Sequence, residues 1–167
     1  MKKFSFIPLA VALSLAACSS EPSATKSVAS TVAEDALQMI VYKSPTCGCC
    51  GAWVEHVEDS GVKVEVSHPD DLNAVKAKYK VPQDHGSCHT AVTAEGDVFE
   101  GHVPYKFIAQ FMADRPEGAF GLAVPAMPIG TPGMEMGEKF SPYEVRLLMK
   151  DGSTKTYAKV SSAAEQF

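Results

Sequence analysis

Cys47-Gly48-Cys49-Cys50 is the segment of this chain best equipped for chemistry. It contains a Cys-x-x-Cys pair, Cys47 and Cys50, with a further thiol, Cys49, inside it. A thiol–disulfide cycle needs two sulfurs one helical turn apart; a third would compete as a resolving sulfur and scramble the pairing. A soft metal ion takes the third thiolate simply as another ligand. Thiols in the first turn of a helix meet unpaired amides and the positive end of the dipole. Both favour thiolate, which is at once nucleophile and metal ligand. Position therefore leaves redox and metal chemistry both open, and Cys49 favours the metal.

Other soft or basic groups stand further along. Cys88 is a fourth thiol, placed where a chain entering the third strand would pass the Cys motif. His85 precedes it in the same loop and is the imidazole nearest to it on that side. His89 and His102 fall on two strands separated by Glu95-Gly96. A two-residue turn there would set His89 opposite His102 on one face and Cys88 opposite Val103 on the other. The stretch Met127-Pro-Ile-Gly-Thr-Pro-Gly-Met134-Glu-Met136 holds three of the seven methionines in a segment unable to form a helix. Thioether sulfur suits Cu(I), although Met127, between Pro125 and Pro128, could equally cap the core as packing. Four thiolates also make a zinc set, but adjacent Cys49 and Cys50 strain a single tetrahedral centre. They are easier to use when sulfurs bridge several Cu(I) ions, so more than one ion is expected.

Elements that must position these groups follow from periodicity. Residues 37–42 read as a buried strand broken by Pro45 and Gly48. A helix is expected from about Cys50 to Asp59, with Trp53, Val54 and Val57 inward and Gly61 at its end. A second strand over 62–66 follows, then a helix capped by Asp70 or Asp71 and running to Tyr79. Strands over 88–94 and 97–103 precede a helix opened by Pro104 and carrying Phe107, Ile108 and Phe111. This order predicts an α/β, thioredoxin-like domain. Residues 118–137 read as one long loop, of a length that is usually functional or disordered, and strands flanking Asp151-Gly152 as an added C-terminal β-hairpin.

The chain's 167 residues begin with Met1-Lys2-Lys3, a short apolar run and Leu15-Ala16-Ala17-Cys18. A positive end, a short greasy middle and small residues before a cut site make a secretory signal over 1–17, and the Cys makes it a lipoprotein signal with lipid expected on Cys18. A Ser/Ala/Thr-rich tether over 18–36 then leads to a single domain over 37–167. Ser19 rather than Asp follows Cys18, which points to the outer membrane, in the periplasm of a two-membrane cell. The net charge of −5 argues against nucleic acid. Export makes disulfides possible, yet three thiols within four residues are a poor framework for stapling distant segments and only Cys88 could close a long loop, so a site is favoured over a disulfide framework.

Taken together, Tyr42 to Cys50, Ser87-Cys-His-Thr-Ala91, Glu100-Gly-His-Val-Pro104 and Gly121 to Gly130 resemble the CopG-type family of bacterial copper-resistance proteins. The resemblance covers about residues 37–137 and implies an exported metal-binding protein of thioredoxin-like fold, handling copper in the cell envelope with other copper-handling proteins there. It implies Cu(I) on the sulfurs of Cys47, Cys49, Cys50 and Cys88, with Met127 in the shared loop. The alternative is a thiol–disulfide oxidoreductase with Cys47 as nucleophile and Cys50 as resolving thiol.

Overall fold

The computed structural model describes residues 36–167. The expected signal, the lipid-bearing Cys18 and the tether up to residue 35 lie outside the described residues. Strand β1 (Gln38–Lys43) buries alternate residues, Met39 and Val41, against the core, as one face of a central strand must. Helix α1 (Gly48–Glu58) starts two residues earlier than its periodicity suggests. Cys47 is its N-cap, in extended conformation, so Cys49 and Cys50 both lie in the first turn. Strand β2 (Lys63–Ser67) pairs with β1 in parallel, and helix α2 (Leu72–Lys78) follows. The Asp71 carboxylate accepts from the amides of Asn73 and Ala74, which satisfies two of the four free donors at the start of α2.

Strand β3 (His89–Thr93) runs antiparallel to β1 and to β4 (Val98–Glu100). The register differs from that expected of a two-residue turn: Thr90 faces Glu100, Ala91 faces Phe99 and Val92 faces Val98. The connection carries one more residue. Gly96 sits at φ 89°, and Gly96 N–H donates to Thr93 O at 3.0 Å. Three-residue hairpin loops closed by a left-handed residue are a standard alternative to the two-residue kind. Glu-Gly is a weak two-residue turn signal, so the longer loop prevails. The slip moves every predicted cross-strand partner by one.

Helix α3 (Tyr105–Ala113) has Pro104 as N-cap and leads to β5 (Ala119–Ala123), which lies parallel to β4. This corrects the reading of residues 118–137 as one loop, because its first part is a central strand. The sequence Ala-Phe-Gly-Leu-Ala hides it: alanine and glycine have weak strand preference. Gly121 is nevertheless required, since a Cβ there would overlap the carbonyl oxygen of Val98 and lie 2.8 Å from its carbonyl carbon. Strands β6 (Tyr143–Met149) and β7 (Thr154–Val160) complete a seven-stranded sheet in the order β2-β1-β3-β4-β5-β6-β7. They pair antiparallel.

Helices cover both faces. On one side α1 and α3 bring Trp53, Val57, Phe107, Ile108 and Phe111 against Val41, Phe99, Leu122 and Val145. On the other, Val92, Val98, Ala123 and Leu148 form a smaller core below Tyr79. Each fully buried side chain of this size contributes about 1.5–3 kcal/mol. Trp53 is wholly buried, and its indole N–H is satisfied by Val103 O at 2.9 Å. That bond ties α1 to the segment carrying His102.

Candidate metal centre

The four thiols that the sequence singles out converge at the N-terminus of α1. One sulfur from each of Cys47, Cys49, Cys50 and Cys88 lies within 4.8 Å of the others. Cys47 and Cys50 are joined in a disulfide with Cα atoms 5.4 Å apart, while Cys49 and Cys88 are free. Cys49 Sγ stands 3.5 Å from Cys47 Sγ, and Cys50 Sγ lies 3.8 Å from Cys88 O. Three of the sulfurs come from one helical turn. The fourth arrives from the chain just before β3, across the sheet end.

A second group of potential donor atoms shares Cys88. Its sulfur lies 3.3 Å from His89 Nδ1 and 3.1 Å from His102 Nε2, and the three donors group within 4.8 Å. The one-residue register shift brings this about. With Thr90 opposite Glu100, His102 comes to the side of Cys88 rather than to that of His89 alone, and the two imidazoles meet edge to face with centroids 5.1 Å apart. His102 Nδ1 donates to Pro132 O at 2.7 Å, so its neutral form presents the Nε2 lone pair to Cys88. His89 is fully buried against Trp53, with centroids 4.5 Å apart. Its Nε2 has no hydrogen-bond partner among the described residues.

His85 is not brought to the thiols. Its Nδ1 bonds Asp84 at 2.8 Å and its Nε2 bonds Thr154 Oγ1 at 3.1 Å, which ties its loop to β7. Met127 is 49% exposed, so it neither fills the core nor has a sulfur buried among the cysteines. His56 accepts from Tyr105 N–H at 3.1 Å, at the start of α3, and is a structural residue.

Two contributors had no clear signal in the sequence. One is the Pro132 carbonyl. The other is Gly133, at φ 84°, where a Cβ would lie 2.6 Å from Cys49 O and 2.7 Å from Trp53 N. Glycine alone lets the loop rest on the first turn of α1 while Pro132 reaches His102. The loop is pinned at its far side by Gln166, which donates to Gly130 O at 2.9 Å and accepts from Tyr143 OH at 2.6 Å.

Burial sets the protonation of the site. It pushes His89 well below the usual imidazole value, helped by the neighbouring His102, and lowers His102 as well. Both rings are therefore neutral donors of lone pairs. Burial likewise raises the Cys88 thiol to about 11, with Cys49 adding to the shift. The sign of the linkage follows: the unfolded chain takes up imidazole protons that the fold refuses. Stability of the metal-free protein should be full above about pH 6.5 and decline as pH falls below it. Urea midpoints at pH 7 and pH 5 measure this, and an equal or higher midpoint at pH 5 would contradict the burial of neutral imidazoles.

Residues 85–134 match a family model described as protein of unknown function, DUF411. Two solved structures are similar over most of the chain. One is "Copper resistance protein copG- Form 2", with TM-score 0.72 and 38% identity over 76% of this chain and 100% of that one. The other is "Copper resistance protein copG- Form 1", with TM-score 0.71 and 39% identity over 75% of this chain and 98% of that one. A comparison with curated proteins gives no match.

Proposed function

Because the chain belongs to the family of CopG copper resistance proteins, we propose that it binds copper as Cu(I) through Cys47, Cys49, Cys50 and Cys88, with His89 and His102 completing the shell on the Cys88 side. The observation that carries this reading is the convergence of the four sulfurs within 4.8 Å. The donor set fits: clustered thiolates are soft ligands, and neutral imidazole suits copper as well. Adjacent Cys49 and Cys50 favour sulfurs that bridge more than one ion. Copper is the protein's cargo in this reading, and the reduced thiols are its carriers. Binding displaces the Cys88 proton, so uptake should release protons and weaken as pH falls.

The Cys47–Cys50 disulfide favours a second role, thiol–disulfide exchange. In that cycle the Cys47/Cys50 dithiol passes two electrons and two protons to a substrate disulfide, which becomes a dithiol, and regains them from a dithiol reductant, which becomes a disulfide. The two readings meet in one site, since only reduced Cys47 and Cys50 can ligate a metal. Cys49→Ser separates them, because it leaves the Cys-x-x-Cys pair intact. Cu(I) titration of the reduced variant should show fewer ions bound or weaker binding, while disulfide exchange persists. Parental copper binding in Cys49→Ser, with exchange abolished by Cys47→Ser, would replace the copper reading by the exchange reading.

We also read β1 to β4 with their helices as thioredoxin-like, supported by the order β2-β1-β3-β4 with only β1 and β2 parallel within it. Placement in the periplasm through lipid on Cys18 is part of the same proposal, motivated by Leu15-Ala16-Ala17-Cys18. The mass of the mature N-terminus checks it, and an unmodified start beyond Cys18 would sink it. Met127, exposed on the loop that runs beside Ser87, is proposed as an auxiliary thioether for incoming Cu(I).

A further inference from the structure

Glu100 is a carboxylate with no access to solvent, at the end of β4. An isolated buried carboxylate is costly, and this one is fully partnered. Lys76 Nζ from α2 lies 2.5 Å from Oε1. Thr90 Oγ1 donates to Oε2 at 2.6 Å. The third donor is the backbone N–H of Ser87, 2.6 Å from Oε1. Ser87 immediately precedes Cys88, and Thr90 stands two residues beyond it, so the carboxylate holds the chain on both sides of the thiol.

Ser87 is fixed from other directions too. Its hydroxyl donates to Ala126 O. A Cβ on Gly101, at φ 71°, would lie 2.6 Å from both Cβ and Oγ of Ser87, so the Ser87 side chain rests against the Gly101 backbone. None of Glu100's hydrogen-bond partners is a sulfur or an imidazole. Its influence on the site passes through the Gly86–Ser87 peptide and Thr90, the anchors on either side of Cys88.

We propose that Glu100 is a positioning residue for the copper site: its carboxylate, neutralised by Lys76, fixes the Gly86–Ser87 peptide on one side of Cys88 and the Thr90 side chain on the other, and so holds the Cys88 sulfur between the α1 thiols and His102. The inference rests on the copper reading above. Outer-shell partners of this kind typically govern metal affinity by about 10- to 100-fold. Lys76 makes the arrangement possible by cancelling the buried charge.

Two double variants of equal charge test it. Lys76→Met with Glu100→Gln keeps an oxygen acceptor for Ser87 N–H. Lys76→Met with Glu100→Leu removes it, while exchanging a buried ion pair for apolar groups, a change that folds often tolerate. Cu(I) affinity of the reduced proteins is measured by competition with a chromophoric chelator, alongside thermal unfolding. The Gln variant should bind like the parent, and the Leu variant about 10- to 100-fold more weakly at similar melting temperature. Equal affinity in the two variants would overturn the proposal. Should the Leu variant fail to fold, Glu100→Asp decides: it keeps the charge pair but draws the carboxylate back from Ser87, so weaker binding supports the role and parental binding refutes it. A readout without metal separates this inference from the copper reading. In the metal-free protein, alkylation of Cys88 relative to Cys49 should rise several-fold in the Leu variant only, even if no variant and no parent binds copper. An unchanged ratio would refute the positioning role.

Discussion

Cys88→Ser should cost the reduced protein roughly two orders of magnitude in Cu(I) affinity, about 2.7 kcal/mol, and lower the number of ions bound. Cys88 is the sulfur common to both candidate donor groups, the four cysteines and the Cys-His-His group. Among the described residues it is also the only thiol outside the first turn of α1, arriving from the chain just before β3, so none of the other three can take its place. Serine is nearly the same size, but its hydroxyl stays protonated and is a hard oxygen donor. Fold stability should change little, because Cys88 is only partly buried. Chelator competition under anaerobic conditions measures the loss. Exchange at Cys47–Cys50 should continue in the same variant. Binding at parental affinity and stoichiometry would remove Cys88 from the site and with it the case for a shared sulfur.

The largest effect on folding is expected from Gly121→Ala. The added methyl would overlap the Val98 carbonyl oxygen and lie 3.0 Å from Val98 N, so neighbouring strands must part. The obstacle is backbone in the middle of a seven-stranded sheet, which cannot rotate aside as a side chain does. A cost of about 4 kcal/mol or more is expected, lowering the melting temperature by roughly 10–15 °C. Calorimetry of the variant is the measurement; a drop of a few degrees would mean that β4 and β5 separate more easily than their pairing implies. Copper binding by whatever fraction folds should resemble the parent, since Gly121 touches no ligand.

Much of the candidate site is legible because its donor side chains, cysteine and histidine, are chemically distinctive. Clustered cysteines announce themselves in any register, and Pro45, Gly48 and the apolar run before them place the cluster at a strand-to-helix turn. The core stripe Trp53, Val54 and Val57 and that of Phe107, Ile108 and Phe111 were equally readable, since helical period survives small errors in boundaries. What escaped was whatever depends on backbone alone. Strand β5 is invisible because its central residue must be glycine for steric reasons, and glycine reads as a loop. His85 is nearer to Cys88 along the chain than His102 is, yet tertiary folding turns it to Asp84 and Thr154. The Pro132 carbonyl has no signature whatever, as every residue carries one.

The three-residue turn after Thr93 has an importance out of proportion to its chemistry. Nothing in Ala94-Glu95-Gly96 touches a sulfur or an imidazole, and Ala94, Glu95 and Gly96 are exposed. Yet the turn acts as a gauge block for the whole site: its length sets which residue of one strand arrives beside which residue of the next. Shortening it by one would slide β4 along β3, carry His102 past Cys88, and swing Glu100 out of its pocket beside Ser87 in the same movement. Mutational tolerance at this turn should thus be wide in composition and narrow in length. On the proposed copper reading, selection would then be felt at a place remote from every candidate donor, as a ban on insertions and deletions.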